Sequence, residues 1–148
     1  MQLLFRVWRI IRWPLAVIVA LYIALVVYRI PAVMEQKRTN ETVERIHSQK
    51  LTQNDENGEH LPPPPDAAQV DATIEGVDAN ANGIRDDVEL AIFKKYPNSA
   101  KIRAAELQYA MALQMYLTEV FNSETWIASA QQTGRSYGCI YYSADSLN

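Results

Sequence analysis

The run DANANGIRDDVE, from Asp78 to Glu89, gathers oxygen donors at regular spacing. It fits the pattern D-x-[DN]-x-[DN]-G-x5-E, in which alternating carboxylate and amide oxygens can converge on a hard divalent cation such as Ca2+. Asp78, Asn80 and Asn82 fall at the first, third and fifth positions, and Gly83 supplies the backbone freedom for a sharp turn at the sixth. Ile84 would contribute its carbonyl, so its apolar side chain is no obstacle. Asp86 would bind directly or through water, and Glu89 would offer two oxygens from the first turn of a helix. The expected metal ligands are therefore Asp78, Asn80, Asn82, Ile84, Asp86 and Glu89. A second reading of the same residues is an Asx-rich turn whose acids cap a helix.

This loop resembles the single calcium loops of dockerin-like, thrombospondin type 3-like and other bacterial EF-hand-like proteins, over 12 of the 148 residues. The resemblance implies a structural ion that orders a short segment or holds an interaction module. Arg85 stands where a paired EF-hand carries an apolar residue, and no second full loop is present. Both departures argue against a calmodulin-like sensor that opens a broad groove.

Other chemistry finds less support. Asp86, Asp87 and Glu89 could do the acid–base work of an exported hydrolase or lytic enzyme, but proximity in sequence supplies neither a cleft nor matched pKa values. The loop positions account for them more fully, so no catalytic residue is assigned and the chain is expected not to be an enzyme. His47 and His60 lie in polar surroundings without a Cys/His cluster or a nucleophile partner. Cys139 is the single cysteine and excludes an intramolecular disulfide.

The elements that must position the loop read as helices. One is expected from Asp86 or Asp87 to about Tyr96, stopped by Pro97, with Val88 and Ile92 anchoring its first turns to a core. A second should run from Ser99 or Ala100 to about Phe121. Its buried face is expected to comprise Ile102, Ala105, Tyr109, Leu113, Tyr116 and Val120, widened by Leu117 and Phe121. Met111 and Met115 fit core or interface packing. A third helix begins near Ser123, docks through Trp126, Ile127 and Ala130, and is expected to end at Gly134. The tail beyond it, with Tyr137, Cys139, Ile140, Tyr141 and Tyr142, carries no secure assignment.

Upstream, Trp13 to Tyr28 is a stretch of 16 residues without a charge. Extended to Ile10–Ile30 it makes about 31 Å of helix, enough to cross a bilayer. Arg12 and Arg29 can carry their charges to the headgroups, and Trp8, Trp13 and Tyr28 suit the interfaces. Arg6, Arg9 and Arg12 precede the span while Arg29 follows it, which favours a cytoplasmic N-terminus. RIPAVMEQ offers no clear signal-cleavage pattern, so the span is expected to stay as an uncleaved anchor. Between anchor and domain, residues 34–50 could prolong the helix. TQNDENGEH and Pro62–Pro65 then read as a stiff polar spacer.

These features predict an all-α chain: an N-terminal transmembrane helix (1–33), a polar proline-rich stalk or linker (34–65), and a small acidic helical domain with one EF-hand-like loop (66–148). Residues 34–148 carry 17 acidic and 10 basic side chains, a formal charge of −7, which excludes a basic nucleic-acid footprint. The expected function is a membrane-tethered, calcium-stabilised structural or protein-interaction module in a cell inner membrane, its domain periplasmic or extracellular. Its partners would be the lipid bilayer and a protein of a membrane or envelope complex. An ion-independent accessory subunit of such a complex is the alternative.

Overall fold

The computed structural model describes the backbone of residues 2–145 and the side chains of residues 12–138 and Tyr141. The side chains of Arg6, Trp8, Arg9, Cys139, Ile140 and Tyr142, on which expectations above fell, lie outside the described residues. The described chain is all helical. Its elements are α1 (Gln2–Ser48), α2 (Gln53–Asn57), α3 (Ala67–Val70), α4 (Asp86–Lys95), α5 (Ala100–Thr118) and α6 (Ser123–Asp145). Two compact units divide it, Met1–Arg38 and Thr39–Asn148.

In the first unit, the apolar side chains of α1 from Trp13 to Met34 are exposed all round. A helix that is apolar on every side has no preferred face to bury in a soluble core. By length and composition it is the one helix among the described residues able to cross a membrane.

The second unit is built around Ile46, Ile84, Leu107, Met111, Met115 and Ala128, with Val43, Leu51, Ile92, Phe93 and Ala110 packed against them. The core thus begins well before residue 66. Residues 39–48, the last turns of α1, bury Thr39, Thr42 and Ile46. Pro62 is also buried. The expected proline-rich linker is corrected accordingly, because the thin stripe of Val43, Ile46 and Leu51 meets apolar surface supplied by distant helices. No sequence-local pattern could reveal that surface.

Local signals set most helix ends. Thr52 and Asp55 form a reciprocal capping box on α2. α4 carries Asp86, Asp87 and Glu89 in its first turn and Lys94 and Lys95 in its last, matching both ends of the helix dipole. Ser99 caps α5 through the Ile102 amide. Arg103 is buried and ties three segments together: its guanidinium donates to the carbonyls of Glu56, Tyr96 and Pro97 and lies 4.9 Å from the Phe93 ring centroid. Gly134 does not end α6, which runs on to Asp145. A glycine in an exposed helical turn costs only about 1 kcal/mol, and tertiary contact with α5 offsets it.

Candidate functional site

The loop before α4 brings all six expected ligand residues together, but it joins them to one another. The Asn80 and Asn82 side-chain amides donate to the two oxygens of Glu89 at 3.0 and 3.1 Å. The Asp86 carboxylate accepts the Ala79 amide at 3.0 Å. Asp78 accepts the amides of Asn82 and Gly83, at 3.2 and 2.8 Å. Asn80 and Asn82 present their own carbonyl oxygens to the Asn82 and Ile84 amides. The Asp86 amide closes the loop on the Val77 carbonyl at 2.8 Å.

Two residues set the path of this loop. Gly83 has φ +85°, a left-handed conformation, and a Cβ there would collide with the side-chain amide of Gln49. That amide donates to the Asn82 carbonyl at 3.2 Å. Ile84 turns the other way and is 1 % exposed within the core. Ile84 therefore anchors the loop through its side chain. Asn80 also donates to the His60 carbonyl, fastening the loop to the segment before the prolines.

Among the described residues no group of three or more His, Cys, Asp or Glu side chains is placed to hold a metal ion. The calcium reading is corrected on that finding, and with it the EF-hand, dockerin-like and thrombospondin type 3-like resemblance. Asp78, Asn80, Asn82, Ile84, Asp86 and Glu89 form a hydrogen-bonded turn at the N-terminus of α4. The physical reason is that a pattern of oxygen donors at fixed spacing also suits a turn that must satisfy its own backbone amides.

Glu89 is the most distinctive group of the turn. It is 1 % exposed, and burial pushes its carboxyl above the usual carboxylate range, partly opposed by the hydrogen bonds from Asn80 and Asn82. Arg85, the residue at odds with an EF-hand, pairs instead with Asp87 through two hydrogen bonds of 3.0 and 3.1 Å. It also reaches the Val70 carbonyl and lies 3.5 Å from Asp71. Arg85 thereby binds the 70–71 segment to the start of α4.

Beside this clamp lies a cleft of about 940 Å³. Ile74, Val88, Ile92, Leu113 and Leu117 give it an apolar lining, and Asp71, Asp87 and Glu106 add carboxylates. Gln114 holds the 74–75 segment through the Ile74 and Glu75 carbonyls. Leu113 and Leu117 were expected in the core, yet they are exposed on α5, as is Ile74 beside them. The buried row of α5 is Leu107 with Met111 and Met115, the two methionines packing as expected. Both rows recur at helical spacing, so periodicity alone could not say which faces inward.

Compared with known protein families, characterised proteins and solved structures, the chain matches none.

Proposed function

We propose that this chain is an ion-independent accessory subunit of a membrane complex, held in the bilayer by α1. The domain made by residues 39–148 is its working part. In this reading the N-terminus is cytoplasmic and the domain faces the periplasm or the exterior, following the excess of arginines before the span. The subunit is not an enzyme: its most closely grouped acids, at the start of α4, are engaged by amide donors and by Arg85. That closed network is the observation that carries the reading. A loop whose donors and acceptors satisfy one another gives the domain its shape without an ion.

Two measurements test it. Thermal unfolding of the full chain in detergent should give the same midpoint in chelator and in millimolar calcium. A saturable calcium-dependent rise would overturn ion independence. Native electrophoresis of gently solubilised membranes should place the chain in a band together with other polypeptides. Migration alone, or only with copies of itself, would overturn the subunit assignment.

A further inference from the structure

We propose that the cleft beside the Arg85 clamp is the docking site for a basic amphipathic helix of a protein partner. This inference rests on the reading of the chain as a subunit and names the chemistry of its contact. The observations are an apolar lining, an acidic border and an all-helical frame. Leu113 and Leu117 stand one turn apart on α5 with 41 % and 64 % of their surface exposed, and Ile74 faces solvent at 61 %. These exposed side chains, gathered in one cleft with Val88 and Ile92, are apolar surface that a partner's apolar face can cover. Among the described residues no strand offers an edge for an extended peptide, so a helix laid into the groove is the mode that fits.

Charge selects the partner. Asp71, Asp87 and Glu106 line the cleft; among the described lining residues Arg85 is the one cation, paired with Asp71 and Asp87, so the lining keeps a formal charge of −2. Residues 51–84 carry seven acidic side chains and no lysine or arginine. A helix with leucine-like residues on one face and lysine or arginine along its flanks would cover the apolar row and meet carboxylates at the border. A second copy of this chain fits poorly. Residues 39–148 hold 16 acidic and eight basic side chains, a formal charge of −8, and two such domains repel. A small ligand fits less well too, because such sites combine an apolar wall with convergent free polar groups, and Arg85 is already paired.

The test uses the full chain in phosphatidylcholine nanodiscs and a synthetic 14-residue helical peptide of leucine and lysine. A leucine–glutamate peptide of the same pattern is the control. Binding is read as the difference between the wild-type chain and the Leu113→Gln, Leu117→Gln double variant in identical nanodiscs, which cancels partition into lipid. Both leucines are exposed, and an unchanged circular dichroism melt verifies that the variant is folded. The lysine peptide should bind the wild type roughly tenfold more tightly than either the double variant or the glutamate peptide binds it in turn. The pair Asp71→Asn, Glu106→Gln should weaken binding about threefold and flatten its salt dependence. Equal binding to wild type and double variant, or preference for the glutamate peptide, overturns the proposal. Self-association of the wild type that the double variant loses also overturns it, in favour of a second copy. Either result leaves the native-gel test of the subunit reading standing on its own.

Discussion

α5 and α6 pack against each other and follow opposite rules. α5 buries Leu107, Met111 and Met115 and directs only Arg103 inward among its charged residues. Among its described residues α6 buries Thr125, Ser129, Gln132 and Ser136, with Ala128 as the apolar contribution, and leaves Trp126, Ile127 and Tyr137 half exposed or more. Small hydroxyl side chains permit close helix approach and can return their hydrogen bonds to their own backbone. The Thr133 hydroxyl donates to the Ser129 carbonyl, and the Ser136 hydroxyl to that of Thr133. Thr125 serves the turn at the start of α6, where its hydroxyl accepts the Phe121 and Asn122 amides. Gln132 crosses to the last turns of α1 and donates to the Ile46 carbonyl. Burial thus rests on apolar packing on one helix and, Ser129 apart, on hydrogen-bonded polar groups on the described part of the other.

The contrast sets an order of expected effects. Leu107, 0 % exposed, should be the costliest truncation: Leu107→Ala leaves a cavity and should lower stability by about 2–5 kcal/mol, read from the urea midpoint. A loss under about 1 kcal/mol would break the assignment of α5 as the apolar wall. Gln132→Ala comes next, with a cost of about 1–3 kcal/mol, because the Ile46 carbonyl is left buried without its donor. An effect near zero would mean that the α6 seam contributes no net hydrogen bonding.

Glu89 extends the comparison to the loop and gives it a pH signature. Its carboxyl is raised in the folded chain, first by burial, so the folded state holds the proton over a range where the unfolded chain has released it. This group's contribution therefore favours folding at low pH and is lost as pH rises through the folded value. Glu89→Gln should remove that downward slope from a stability–pH profile, and an unchanged profile would show that Glu89 is not the group responsible. Ser129 should give the smallest effect. The residue is 0 % exposed and its hydroxyl has no hydrogen-bond partner among the described residues, so Ser129→Ala should be neutral or stabilising by up to about 1 kcal/mol. A loss comparable to that of Gln132→Ala would show that the hydroxyl does have a partner.

Much of the helical plan was legible in the residues. Pro97 and Ser99 mark the break between α4 and α5, and the charge-free run after Arg12 marks the apolar part of α1. Helix ends are written in short-range chemistry, in caps, prolines and terminal charges, and so survive without tertiary information. The inward face of α5 was legible only in part: Ala105, Met111 and Met115 are buried as expected, but Tyr109, Leu113 and Leu117 repeat as regularly as Leu107, Met111 and Met115 and face elsewhere. α6 was harder still. Its outward Trp126 and Ile127 look like core residues, while its inward hydroxyls look like surface.

The loop shows the same limit at the level of chemistry. The sequence by itself determined that Asp78, Asn80, Asn82, Asp86 and Glu89 would meet in a tight turn, since Gly83 and the start of α4 are local features. Only the tertiary structure decided what those oxygens face. Gln49, just past α1, and His60, before the prolines, supply donor and acceptor groups from 20 or more residues away. It also decided that Ile46 belongs to the core and that Leu113 and Leu117 border a cleft, because burial depends on which surfaces arrive opposite a residue. Spacing along a single helix does not contain that information.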